Sequence, residues 1–409
     1  PMITTMWSRQ IGPGATLLWG VATLACAADQ SQTPSVVFRD SMGIELVESH
    51  RPAWREGEGW RVSAEPDLVI SDSRGGPEYL FHQIGSAARL SDGRIAVANS
   101  GSGEVRFYDS AGSFLYSFGQ RGGGPGEFRH LSSVHRLRGD ALLAFDPGAR
   151  RITLIDSAGR MVRSVQLDRV GPERISSVAP LGDTTLLAIT SRSSGAVTFA
   201  GTGSRRESAP ILSYSRAGHL LDTVAVVPGM ELYHMGNGRL GLPLFNHHTV
   251  AAAMAGDVVI GTGESFEVGV YSPEGELRRL IRLPDADLSL AEEDVRLERE
   301  RRLALAGEDE AARTLLEELE AGLPNPTKRP AYAALQVDPH AHLWLAEYRT
   351  SPMFGEPRVW RVFDQSGRWL GEVEVPEGLR ILEIGDDYIL ARAKDANEVE
   401  RIELYRLMR

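Results

Sequence analysis

One unit recurs along this chain and constrains its fold more than any other feature. A β-rich run leads through a polar turn to a second run, and Asp/Ser-x-x-Gly then leads into a third. Asp92-Gly93 precedes the run 94–97, residues 104–108 follow, and Asp109-Ser110-Ala111-Gly112 opens 114–118. The order returns as Gly139-Asp140, 141–145, 151–155, Asp156-Ser157-Ala158-Gly159 and 161–165. A third copy holds Gly182-Asp183, 186–189, 211–214 and Ser215-Arg216-Ala217-Gly218; a fourth holds Gly256-Asp257, 258–261, 267–271 and Ser272-Pro273-Glu274-Gly275. The fifth has 342–346, 359–363 and Asp364-Gln365-Ser366-Gly367, and the sixth runs from Gly385-Asp386-Asp387 through 388–391 to 399–407. A tight antiparallel hairpin needs a residue with positive φ, which Gly supplies at least cost. Asp or Ser at the start of the turn bonds its own backbone two residues on.

Within each unit apolar and polar residues alternate, as in half-buried strands. A hairpin this small cannot bury its own faces, whereas sheets stacked around an axis can, leaving only short edges. The expected fold is therefore all-β: a six-bladed β-propeller of four-stranded antiparallel blades over residues 54–409, at about 40–45 residues per blade. The sixth copy lacks a final strand. Residues 60–63 or 68–70 are expected to supply it by pairing with 402–407, which would close the ring.

Composition narrows the remaining choices. The 409 residues are 42% hydrophobic, enough for a large core, and 43 Gly with 22 Pro scattered as turn signals favour many short strands over long helices. A net charge of −11 argues against nucleic acid or an anionic membrane surface as the main partner. Cys26 is the only cysteine, so neither an internal disulfide nor a thiolate metal site nor a Cys nucleophile is available to a mature chain. Around Cys26 the sequence reads as an export signal over residues 1–28. Met2 or Met6 is the expected initiator, one Arg follows Met6, and an apolar run spans 11–28. Gly12, Pro13, Gly14 and Gly20 break that run, against a transmembrane anchor. Ala25-Cys26-Ala27 fits a cleavage site. Thr23-Leu24-Ala25-Cys26 resembles a lipobox with Cys26 as the acylated residue, although Thr23 stands where Leu is usual. The expectation is an exported monomer, periplasmic or an outer-membrane lipoprotein at the cell surface, with a linker over 29–53 and membrane contact only through a lipid anchor.

Three stretches interrupt the repeat. Residues 285–322 read as a helical hairpin between blades four and five: Ser289 and Glu292 have capping-box spacing, Gly307 is a stop, and a second helix covers about 308–321. This segment holds 13 acids and 5 bases, a net of −8, so most of the chain's acidity is local to it. Its acidic face reads either as a solvated surface or as a lid or docking arm. Residues 191–210, rich in Gly, Ser and Arg, read as a mobile loop, and 229–249 carries His234, His247 and His248.

Two segments add a resemblance. Phe118-Gly119-Gln120-Arg121-Gly122-Gly123-Gly124-Pro125-Gly126-Glu127-Phe128 resembles the inter-blade loop of NHL-repeat propellers, and Asp146-Pro147-Gly148-Ala149-Arg150-Arg151-Ile152 resembles that repeat's strand–turn–strand link. From about Trp54 onward the chain is similar to the bacterial six-bladed β-propeller family of exported proteins and lipoproteins, whose members largely lack an assigned function. The wider NHL and TolB-like relatives include protein-binding scaffolds, sensor domains and a few lyases and lactonases, so the resemblance implies a fold and a compartment and leaves the activity open.

No catalytic motif stands out. The 122–126 Gly-rich loop lacks the Lys-Ser/Thr ending and the following helix of a phosphate cradle. There is no Gly-x-Ser-x-Gly elbow. His247 and His248 are adjacent, so in extended chain they point to opposite faces, and no His-x-His or His-Glu-x-x-His pair supports a metal there. Glu127, Asp146, Glu264, Glu267 and Glu347 lie beside turns without forming a dense Asp/Asn signature for calcium. The candidate binding face comprises Arg129, His130 and His135 after the Gly-rich loop, His247 and His248, and Glu347, Tyr348 and Arg349 in the fifth copy. Trp54, Trp60, Trp344, Trp360 and Trp369 either pack between blades or stack on a sugar or peptide. The expected function is a binding scaffold that takes a protein or peptide through its loops, with no cofactor. The alternative is a lactonase-like hydrolase or lyase using Ca or Zn in the central tunnel.

Overall fold

The computed structural model describes residues 34–191, 201–235, 239–350 and 357–409. The expected export segment and Cys26 lie outside them. No helix among the described residues is long and apolar enough to cross a membrane.

Strands form where the alternating runs predict them, and they assemble into six sheets. Sheet one is Ile84–Arg89, Ile95–Asn99, Glu104–Tyr108 and Phe114–Phe118; sheet two is Ser133–Arg136, Leu142–Asp146, Arg151–Ile155 and Met161–Gln166. Sheet three contains Arg174–Pro180, Thr185–Ser191, Gly203–Ser215 and Leu220–His234, with Leu240–Gly241 at its edge. Sheet four contains Val250–Met254, Asp257–Gly261, Glu267–Tyr271 and Leu277–Arg282, and sheet five Ala334–Val337, Leu343–Ala346, Arg358–Phe363 and Trp369–Val375. Sheet six has three strands of its own, Arg380–Ile384, Tyr388–Lys394 and Glu400–Met408. Its fourth comes from the start of the chain, as expected: Val62 pairs with Leu407, and Leu68, Val69 and Ile70 pair with Leu404, Glu403 and Ile402.

The turns behave as their chemistry requires. Asp109, Asp156 and Asp364 each accept two backbone N–H groups of their own turn, and Gly112, Gly159 and Gly367 take φ of 80°, 78° and 88°. In sheet six Asp395 makes the same bonds, with Glu398 at φ 64° in place of Gly.

Apolar side chains from each sheet interlock with the next. Val105 and Phe107 pack with Val134 and Leu142, Phe145 with Ile175 and Leu212, and Leu187 and Ile211 with Val258. Val259 and Val268 pack with Leu343 and Phe363, and Trp344 and Trp360 with Ile389 and Leu407. The series ends where it began, with Leu390 and Ile402 of sheet six against Ile84 and Val97 of sheet one. The six innermost strands likewise meet one another in a closed circuit.

Antiparallel order sends connections alternately to two faces. Links between the first and second strands, and between the third and fourth, are tight turns on one face. Links from a sheet to its successor, and between second and third strands, leave on the other, the loop face. There lie helix α1 (Glu292–Ala304) and helix α2 (Glu310–Ala321), between the last strand of sheet four and the first of sheet five.

Three expectations need correction. The stretch expected as a linker over 29–53 holds a hairpin, Val36–Ser41 with Ile44–Ser49, whose second strand adds in parallel to the outer strand of sheet four. The stretch 191–210, read as a loop, is strand from Gly203 onward, because Gly203–Ala209 extends a long hairpin with Val227–His234. Helix α1 begins at Glu292 rather than at a Ser289 cap: the Ser289 N–H goes to Asp287, and the Asp294 carboxylate accepts the Ala291 N–H at 3.1 Å.

Candidate functional site: the loop face over sheets three to five

The candidate residues fall on the loop face, with one exception. Arg129 and His130 precede the inner strand of sheet two, His247 and His248 precede that of sheet four, and Glu347, Tyr348 and Arg349 follow the second strand of sheet five. His135 lies inside the inner strand of sheet two and has a different role. An inner strand has one edge that no strand pairs, and polar side chains of the neighbouring sheet bond it. The Ser86 hydroxyl donates to the Val134 carbonyl at 3.1 Å and accepts the Val134 N–H at 2.6 Å. Glu383 accepts the Arg89 N–H at 2.7 Å, and His135 bonds the Val178 backbone. Burial pushes the His135 imidazole down to about 4, against the smaller opposing effect of that bond.

Arg129 and His130 are held by their backbones. Asp146, fully buried, accepts the Arg129, His130 and Ala149 N–H groups at 2.8, 3.1 and 3.0 Å. This leaves both side chains on the surface over sheet two and explains the Asp146-Pro147-Gly148 motif as a clamp on the incoming connection. The Gly-rich stretch is that connection. Glu127 accepts the Gly124 N–H at 2.8 Å, and the Phe128 N–H returns to Gln120 at 2.9 Å.

The remaining candidates converge over sheets three to five. Glu231, on the extension of the long hairpin, meets His247 Nδ1 at 2.8 Å, and the Glu231 N–H donates to the His247 carbonyl. That His247 bond, ahead of the opposing effect of burial, holds the Glu231 carboxyl below its ordinary range. His248 points elsewhere and bonds the Ala333 backbone. Burial, then the Arg206 and His247 charges, lower its pKa. Arg206 ties the hairpin to sheet four, donating to the Gly229 carbonyl at 2.7 Å, Thr249 Oγ1 at 3.2 Å and Glu264 Oε1 at 2.7 Å.

Helix α1 meets this assembly through Arg302, whose guanidinium donates to the Leu242 and Pro243 carbonyls at 2.7 and 2.8 Å and to Glu320 of α2 at 3.1 Å. Phe245, in the same segment, packs on Tyr348 with ring centroids 5.9 Å apart. Arg329 secures the Tyr348 loop, donating to Glu347 at 3.3 Å and to the Tyr348 carbonyl at 3.0 Å. Burial, then the Glu298 carboxylate, raise the Tyr348 hydroxyl pKa. Arg349 stands beside Arg358, whose pKa is lowered by burial and by the Arg349 charge.

The two adjacent histidines do not converge on a common point. His247 is taken by Glu231 and His248 by backbone, and among the described residues no group of three or more His, Cys, Asp or Glu side chains is placed to hold an ion. The face combines charged, hydrogen-bonded residues (Arg206, Glu231, His247, Arg329) with exposed apolar points on the helical pair, Leu305 at 73% and Leu315 at 48% exposure. Sequence reasoning missed Glu231, Arg206 and Phe245, because their contacts depend on a hairpin extension with no local signal.

A closed circuit of small antiparallel sheets, each packed on the next, defines this chain as a β-propeller. No known protein-family model matches the sequence, and no curated protein sequence does either. Solved structures do. A member of the DUF4221 family from Bacteroides vulgatus is 10% identical, with 85% of this chain and 98% of that one covered and a TM-score of 0.51. A Bacteroides fragilis protein described as exported is 13% identical (86% and 95% covered, TM-score 0.47), and virginiamycin B lyase from Staphylococcus aureus is 9% identical (81% and 97% covered, TM-score 0.40). At such identities the likeness is one of fold.

Proposed function

We propose that this chain is an exported six-bladed β-propeller, its six sheets the blades and its helical pair an insertion between blades four and five, that binds a protein or peptide through the loop face. One observation carries the reading: the insertions between strands are gathered on that face. The helical pair, the 203–234 hairpin extension and the 242–248 segment interlock through Arg302, Arg206 and the Glu231–His247 pair. Among the described residues, the links between strands on the opposite face are all tight turns. A scaffold that uses the loop face has reason to place its inserted segments there rather than on the turn face. The lactonase-like alternative needs converging calcium or zinc donors, and among the described residues no group of three or more His, Cys, Asp or Glu side chains is placed together to supply them.

Site-specific photo-crosslinking in intact envelopes tests the proposal. Crosslinkers at Leu305 and Leu315 are expected to yield discrete protein adducts, whereas crosslinkers at Ser157 and Gln365 on the turn face are not. Equal labelling from both faces, or none from the helical pair, would overturn it.

A further inference from the structure

Five tryptophans lie among the described residues, and they divide sharply. Trp344 and Trp360 are buried between sheets five and six, at 0% and 3% exposure. The three that keep part of their ring exposed, Trp54, Trp60 and Trp369, all line one groove of about 630 Å³ on the outer rim of sheets five and six. The groove lies on the rim rather than the loop face, and it is independent of the reading above.

Its walls are built deliberately. Residues 52–62 run along the outer strand of sheet five, with the Ala53 N–H donating to the Trp369 carbonyl at 3.0 Å and the Trp54 N–H to the Leu370 carbonyl at 2.7 Å. Gly371 sits in that strand with no positive φ to require it. A Cβ there would collide with the Trp54 indole, so the glycine lets the ring settle onto the strand. Trp54 and Trp60 follow with centroids 5.0 Å apart, and Trp369 Nε1 donates to the Gly371 carbonyl at 3.1 Å.

Polar groups of both signs edge these rings. Glu372 pairs with Arg361 at 3.0 Å, and Arg61 donates to the Gly57 carbonyl at 3.1 Å. The side chains of Arg55, Glu56 and Glu374 are exposed and make no hydrogen bond or ion pair with the described residues. Partly exposed aromatic rings beside unengaged donors and acceptors suit a ligand whose apolar face stacks while its rim both gives and receives hydrogen bonds. A pyranose does this, with its C–H face on an indole and its hydroxyls on Glu56, Glu374 and Arg55. A cationic peptide would meet Arg55 and Arg61 at the same rim, and an anionic one would meet three carboxylates. The volume falls within the range of small-molecule sites.

We propose that this rim groove is a binding site for a neutral oligosaccharide. The test is titration of the full mature chain with cellohexaose, chitohexaose, maltohexaose and laminarihexaose, read by tryptophan fluorescence and by calorimetry, with pentalysine in parallel. Saturable binding of at least one sugar is expected, weakened at least about tenfold in Trp369→Ala. Glu56→Gln/Glu374→Gln changes only exposed side chains and leaves folding intact, and it should weaken binding as well. Three results would overturn the proposal: no sugar bound at millimolar concentration, sugar binding unchanged in both variants, or pentalysine bound in place of every sugar.

Discussion

His135 shows how a residue that looks functional in the sequence can be structural. Its ring bonds an unpaired strand edge, and burial holds it neutral down to about pH 4, whereas an unfolded chain takes up the proton near 6.5. Stability contributed by the neutral ring is therefore full above 6.5 and lost as pH falls from 6.5 toward 4, by about 2–3 kcal/mol. Urea midpoints measured across that window should drop less in His135→Gln, which keeps a hydrogen-bonding amide but cannot titrate. An identical pH profile in the two proteins would show that the ring is already exposed to solvent. Asp146 makes the same point without titration: three N–H groups end on one buried carboxylate, and it holds the incoming connection at Arg129 and His130.

Elements differ in how far they were legible before folding. Turns with Asp109, Asp156 and Asp364 could be read because their causes lie within four residues. The helical pair was legible from its break in the strand pattern and the Gly307 stop, though its first residue was not, since a competing Asp287 bond removes Ser289 from the cap. Residues 203–209 were not legible. Their composition is that of a loop, and they are strand only because 227–234 lies opposite. The Glu231–His247 pair was hidden for the same reason, while the pair of histidines itself was visible. The 36–49 hairpin did carry a signal, alternating residues around Met42-Gly43 at φ 57° and 85°, that a linker reading passed over. One prediction belongs at this scale. Arg302 joins α1 to the 242–243 carbonyls, so Arg302→Ala should raise amide exchange across residues 292–321 by about tenfold or more while the melting temperature of the sheets stays put. Exchange that rose equally in every sheet would mean that the helical pair supports the whole ring.

For the whole molecule, the closing contact matters most, because residues 61–70 and 402–408 share sheet six. Arg61 and Met408 are opposed in register and both reach the surface. An Arg61→Cys/Met408→Cys bridge should stabilise the oxidised protein by about 2–4 kcal/mol relative to its reduced form, measured by denaturant unfolding. No gain on oxidation would show that the closure is not what fails first when the protein unfolds.

The same seam sets a timetable. A polypeptide is made from its N-terminus, so residues 61–70 appear long before 402–408 and must wait for that strand before they have a partner. Sheets one to five can form in turn, but sheet one stays open on its flank until Leu390 and Ile402 arrive, and the apolar residues Ile84 and Val97 face water in the interval. The most exposed moment in the folding of this propeller is therefore the one just before residues 402–408 arrive, when a nearly complete ring has two unmatched edges waiting to be joined.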